Sequence, residues 1–326
     1  MNCLEGERFR QNIGLHIAMA LQITLSSLSI VANPYLLVMS KRYVFFHSNF
    51  KVLVMTNLIA NIGHSLSNIV TQGYHLVRLI SAESSCDLMI PQTMCLLFRF
   101  PSLVCISLFV YLHGCMIAER FIAARQQDRY EACGSKLSIS MVIAGIVIVS
   151  LLTAARFRNY PSEEYTAVCI AVTNTTYFSM MWGCATLACL ESIFFATYVS
   201  LRYISKNALS NTVYTLTQRF QLKENILVLK LLGPLFLLTF IMLVLFALLC
   251  VLIFGYLSTR LTPNQILTAH GFAYIIPYYT LLCPTLIWVI VTKYERKTRQ
   301  TIATQLHVSK RHERVMYFDT YNKLWR

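Results

Sequence analysis

Residues Ile226–Tyr256 read ILVLKLLGPLFLLTFIMLVLFALLCVLIFGY, a run of 31 residues broken by a single charge, Lys230. Crossing the hydrocarbon core of a bilayer takes about 20 apolar residues in a helix. A stretch this long and this apolar is therefore read as a transmembrane helix. Working outward, six further stretches qualify: Ile13–Met39, Phe50–Val77, Pro91–Ala118, Leu137–Ala155, Tyr177–Leu201 and Gln265–Thr292. Together they predict an all-α membrane protein, a bundle of seven transmembrane helices forming one domain over 1–292, followed by a tail over 293–326. Composition agrees, since 56% of the 326 residues are hydrophobic and only 13% charged. A soluble domain carries nearer one quarter charged residues.

The second stretch is the most polar, with Asn57, Asn61, His64 and Asn68 at membrane depth. Such a helix must turn those groups toward protein or water rather than lipid. The first twelve residues are polar and the apolar run from Ile13 is too long for a signal-peptide core, so the first span is expected to serve as its own insertion signal.

Orientation follows from Lys and Arg in the connecting segments. Twenty of the 28 lie in the segments 40–51, 119–136 and 202–224 and in the tail, against six on the other side. That asymmetry predicts an N-terminus outside and a cytoplasmic tail. The sequon Asn174-Thr175-Thr176 falls in a segment this topology places outside, making Asn174 a candidate glycosylation site. The tail from Lys293 to Leu306 is expected to form a short amphipathic helix whose bases meet lipid headgroups.

Several function classes are set aside by what is missing. The formal charge is +14, but the bases sit in short segments between apolar runs, so no nucleic-acid partner is expected. The 11 cysteines include no CxxC pair, and His64, His113 and His270 are isolated, with no HExxH motif. No metal, no cofactor and no enzymatic activity are expected. Retinal would need a Schiff-base lysine in the seventh span, and Gln265–Val291 has none. A seven-helix ligand-gated channel is opposed by the loop charges, and a small transporter by the lack of internal repeats. These two remain the alternatives.

Glu119-Arg120-Phe121 closes the third span. It resembles the acid–Arg–aromatic motif of rhodopsin-like G-protein-coupled receptors, which implies a switch in which Arg120 exchanges carboxylate partners, with Glu224 as the second. The sixth span lacks Cys-Trp-x-Pro and the seventh lacks Asn-Pro-x-x-Tyr, although Pro234, Pro277 and Pro284 interrupt those helices. Three local strings point further: His47-Ser48-Asn49-Phe50-Lys51, Ala118-Glu119-Arg120-Phe121-Ile122-Ala123, and the ten residues from Leu216 to Asn225, LTQRFQLKEN. Together they resemble the nematode serpentine chemoreceptors of the Sra superfamily, nearest the alpha/beta-like group. The resemblance spans nearly the whole chain. It implies a G-protein-coupled receptor-like bundle in the plasma membrane of sensory neurons, acting through a heterotrimeric G protein.

The same resemblance implies a disulfide from the outer end of the third span to the second outer segment. Cys95 precedes Arg120 by the spacing such receptors use, and Cys169 is its expected partner, with Cys86 competing for the role. Intramembrane ionisable groups are functional candidates by default. Arg99, Glu191, His270 and Tyr274 are therefore expected to line a pocket for an acidic or hydrogen-bonding small molecule.

Overall fold

The computed structural model describes residues 3–40, 47–125, 134–158, 164–169, 177–210 and 216–293, together with positions 296 and 300. A short helix α1 (Leu4–Gln11) precedes the long helices α2 (Ile13–Ser40), α3 (Ser48–Ser81), α4 (Gln92–Arg125), α5 (Lys136–Arg156), α6 (Tyr177–Ser210) and α7 (Leu216–Cys250). A π-helical turn, Val251–Tyr256, carries α7 onward, and α8 (Pro263–Ala273) opens the last span. That span resumes as a helix over 276–293. Residues Met1–Pro284 make one compact unit and Thr285–Arg326 a second. In the second unit, 285–293 and positions 296 and 300 are helical. Asn174 and most of the tail, including its expected amphipathic helix, lie outside the described residues.

Among the described residues six helices are long and apolar enough to cross a bilayer. The seventh is α3, 34 residues long, which falls short on apolarity alone. At 1.5 Å per residue it reaches about 50 Å, more than a hydrocarbon core requires. Its polar residues are not spread around it. Asn57, Asn61, His64, Ser65, Asn68, Thr71, Gln72 and His75 are all buried, and their spacing of three or four residues puts them on one face.

That face is zipped to α2, whose Gln22, Ser26, Ser29 and Asn33 repeat at the same helical spacing. Gln72 Nε2 donates to Gln22 Oε1 at 2.7 Å, Asn68 Nδ2 to Ser26 Oγ at 3.0 Å, Ser65 Oγ to Ser29 Oγ at 2.9 Å and Asn61 Nδ2 to Asn33 Oδ1 at 3.3 Å. In lipid each of these groups would be left without a partner, so burying them against one another is what allows so polar a helix to span.

The last span joins the same seam through its prolines. Pro284 has no N–H, so the Thr280 carbonyl one turn before it loses its helical donor. Ser29 Oγ and Asn33 Nδ2 donate to that carbonyl instead, at 3.0 and 3.2 Å. Just before Pro277 the helix breaks at Tyr274 and Ile275. The Gly271 carbonyl is thereby freed and accepts from Gln22 Nε2 at 2.7 Å.

Close approach on the other side of the bundle depends on glycine. A Cβ on Gly145 of α5 would lie 2.2 Å from the Tyr111 ring of α4. A Cβ on Gly233 of α7 would lie 2.2 Å from the Tyr198 hydroxyl of α6. Helices α5 and α6 each pack on α4 but barely on one another.

Candidate functional site

Two arrangements stand at opposite ends of α4. At the end near α1, the bundle is covered. Strands β1 (Ile90–Pro91) and β2 (Tyr165–Thr166) pair antiparallel, with Ile90 opposite Thr166. Helix α1 lies against Ser85–Leu88 and inserts Phe9, only 1% exposed, into a cluster with Leu15, Met19, Leu88, Met89, Ala167 and Val168. Disulfides join Cys3 to Cys86 and Cys95 to Cys169. Cys86, weighed from sequence as a rival for the Cys95 role, is thus committed to the N-terminal helix.

The cover carries the carboxyls of Glu5, Glu7 and Asp87 outside the membrane-spanning segments. A hydrogen bond from the Ser85 hydroxyl holds the Glu7 carboxyl below its ordinary range. The Ser84 N–H and hydroxyl, at 2.8 and 2.9 Å, do the same for Asp87. Burial pushes Glu5 the other way, upward.

Cys169 is fixed from three directions. Besides the disulfide, its N–H donates to His75 Nε2 at 3.0 Å, which leaves the proton of a neutral His75 on Nδ1. Its carbonyl accepts from Arg99 Nε and Nη2 at 3.1 and 2.9 Å. Arg99 also lies over the Tyr274 ring, 5.4 Å from its centroid. The Tyr274 hydroxyl is 2.8 Å from His64 Nε2 of α3.

Below this cover a cavity with about 60 Å³ of free volume is lined by Arg99, His270 and Tyr274, with Ser102, Thr153, Arg156, Met180, Leu187 and Phe246 among its other walls. It adjoins a second, larger cleft of about 450 Å³ between α5 and α6, floored by α4. Ser107, Thr153, Arg156 and Leu187 line both.

Of the four pocket residues expected from sequence, Arg99, His270 and Tyr274 come together at this cavity. Glu191 does not line it. It is fully buried on α6 and pairs with His113 of α4, Oε1 to Nδ1 at 2.8 Å. The Phe236 ring of α7 stands edge-on to His113 at 4.7 Å. The hydrogen bond joins α6 to α4 and Phe236 packs α7 against it, so the Glu191 side chain is held between helices rather than facing the cavity. Arg156 was missed as a lining residue because it ends its span and reads as a loop charge. Thr153, one turn earlier, gave no signal at all.

At the other end of α4, Glu119 and Arg120 are 0% and 2% exposed. Adjacent side chains on a helix point about 100° apart, yet the Arg120 guanidinium curls back and donates through Nε and Nη2 to both Glu119 oxygens. It also lies over the Phe50 ring of α3, 5.3 Å from the centroid. His47 Nδ1 caps α3 by accepting the Asn49 N–H at 3.3 Å. Asn49 Oδ1 in turn accepts the Ser138 N–H of α5 at 3.4 Å. Two of the three strings singled out from sequence therefore meet at the arginine. From the third, Asn225 Nδ2 donates to Ser205 Oγ of α6 at 3.4 Å. Glu224 sits on α7, but its side chain lies outside the described residues.

Comparison with known proteins adds an independent line. A family model, described as serpentine type 7TM GPCR receptor class ab chemoreceptor, matches residues 1–326. The chain is 27% identical over 172 residues to serpentine receptor class alpha/beta-14 of Caenorhabditis elegans, covering 49% of this chain and 43% of that one. To serpentine receptor class alpha-39 of the same organism it is 22% identical over 316 residues, covering 93% and 83%. With serpentine receptor class beta-3, also of Caenorhabditis elegans, it shares 24% identity over 211 residues, 60% of this chain and 62% of that one. The alignment thus spans under half the length of the first of these relatives and most of the second.

Proposed function

Since this chain belongs to the serpentine class ab chemoreceptors, a seven-transmembrane family of the G-protein-coupled type, we propose that it binds a small molecule beside Arg99 and passes that event to a heterotrimeric G protein at Arg120. The observation that carries this is one helix holding both sites. Arg99 and Arg120 lie on α4, separated by about 32 Å of helix at 1.5 Å per residue.

The loop charges favour the covered end of the bundle outside the cell and the Arg120 end in the cytoplasm. In that orientation a ligand at the cavity touches α4, α5, α6, α7 and the last span at once. A change in how those helices pack bears on Arg120 through α4 itself and through the Phe50 ring. Release of Arg120 from Glu119 would then let its guanidinium turn to a G-protein segment. The chain acts in the plasma membrane of chemosensory cells, with residues 293–326 as its cytoplasmic tail.

The test is nucleotide exchange on a heterotrimeric G protein in membranes carrying the receptor. Arg120→Ala should abolish ligand-stimulated exchange while surface expression and ligand binding persist. Full stimulated exchange by that variant would reject the coupling.

A further inference from the structure

We propose that the ligand is a single-tailed acidic amphiphile, its acid head between Arg99 and Arg156 and its tail in the cleft between α5 and α6. This rests on the receptor reading above but concerns only what the site takes.

The two spaces differ in size and chemistry. The inner cavity, about 60 Å³, has room for a small head group and not for a whole ligand. The adjoining cleft, about 450 Å³, lies within the usual range for ligand sites. Its walls include Val110, Ile148, Leu152, Leu190 and Phe194, and among the described residues the shared Arg156 is the one charged side chain. Leu152 and Ile148 are 57% and 47% exposed on the lipid side. The gap exists because α5 and α6 both pack on α4 and barely on each other.

The polar groups gather where the spaces join. Arg156 lines both, and among the described residues no carboxylate lines either. Its guanidinium rests against α6 at Gly183, where a Cβ would come within 2.9 Å of Nη1. Glycine at that position leaves the arginine its place. Thr153, one turn away and 2% exposed, has a buried hydroxyl with no hydrogen-bond partner. A carboxylate or sulfate between the arginines would accept from Arg156 and from that hydroxyl, satisfying both. An amine in the same place would face two guanidinium groups. A neutral alcohol would forgo the charge-assisted bonds that make arginine–carboxylate contacts strong. With the mouth covered by α1 and the strand pair, the tail cleft also supplies the way in, from the bilayer.

The experiment uses the full chain in phosphatidylcholine nanodiscs, with empty discs subtracted for partitioning. The probes are dodecanoate, dodecanol and dodecyltrimethylammonium. Dodecanoate should bind saturably and about tenfold or more tighter than the other two. Arg156→Gln should remove that preference and leave dodecanol unchanged, while Arg156→Lys keeps part of it. In case Arg156→Gln fails to fold, Leu152→Trp on the lipid-facing wall supplies a second variant. It should weaken dodecanoate and spare hexanoate.

Equal binding of acid and alcohol would overturn the proposal. So would displacement of dodecanoate by phosphatidylglycerol built into the disc, because the cleft would then be a membrane lipid's seat. The receptor reading is tested separately by nucleotide exchange. Binding without stimulated exchange would reject coupling and keep the ligand class. Exchange driven by an amine would do the reverse.

Discussion

Ser29 Oγ donates to the Thr280 carbonyl at 3.0 Å, in place of the backbone N–H that Pro284 lacks. The serine and the proline are therefore expected to be energetically coupled. Ser29→Ala should cost about 1 kcal/mol, the scale of a hydrogen bond between membrane helices. In a Pro284→Ala background, where the helix supplies its own donor, the same substitution should cost measurably less. Thermal unfolding of the four proteins in detergent completes the cycle, and equal costs in both backgrounds would separate the two residues.

The buried His113–Glu191 pair gives a different signature. Removing one partner, as in His113→Leu or Glu191→Leu, leaves an uncompensated polar or charged group and should cost about 3–5 kcal/mol. Removing both should recover much of that loss. The same unfolding assay reads it, and additive losses would show that the two do not act as a pair.

Gly145→Ala should destabilise by about 1–3 kcal/mol, because its Cβ would meet the Tyr111 ring in a packed interior. Tyr111→Ala should make Gly145→Ala nearly neutral by vacating that space. A full penalty in the Tyr111→Ala background would place the strain elsewhere.

The covered end should respond to acid in two stages. Glu7 and Asp87 have carboxyls held below their ordinary values of 4.5 and 3.8, so they stabilise the cover above those values. That contribution is lost as pH falls through their lowered values. Glu5 is raised above 4.5 by burial, so its charged form opposes the cover, and protonating it first gives a gain. Protection of the α1 amides against hydrogen exchange, corrected for intrinsic rates, should rise slightly on acidification toward pH 4.5 and fall below about pH 4. Glu5→Gln should abolish the rise and keep the fall.

Peptide mapping under non-reducing conditions should recover Cys3 linked to Cys86 and Cys95 linked to Cys169. A Cys86–Cys169 peptide in the folded protein would contradict the arrangement of the cover.

Much of this was legible in the sequence, and the reason is lipid. A bilayer forces long apolar helices, so runs such as Ile226–Tyr256 announce themselves, and lengths alone nearly fix the bundle. Asn57, Asn61 and Asn68 could be placed facing inward by the same argument. What they bond to could not, because their partners Cys283, Asn33 and Ser26 look like ordinary small or polar residues in apolar helices. The site was legible in proportion to charge. Arg99 stood out because it lies inside a span. Arg156 lies at the end of one, where a guanidinium in water and a guanidinium in a cavity look alike in sequence. Glu191 was noticed for being buried, but its partner sits 78 positions away on another helix, and sequence spacing says nothing about that distance.

Glu119 and Arg120 are neighbours along one chain, and this limits what can disturb them. Sliding, tilting or spreading of whole helices carries both along and acts on their bond only by changing the space around the two side chains. The pair opens by rotation about side-chain bonds, and at 0% and 2% exposure that rotation has to wait for the surrounding packing to give way. Opening is therefore as slow as the repacking around α4 that makes room for it, and a helix motion reaches Arg120 as space rather than as pull.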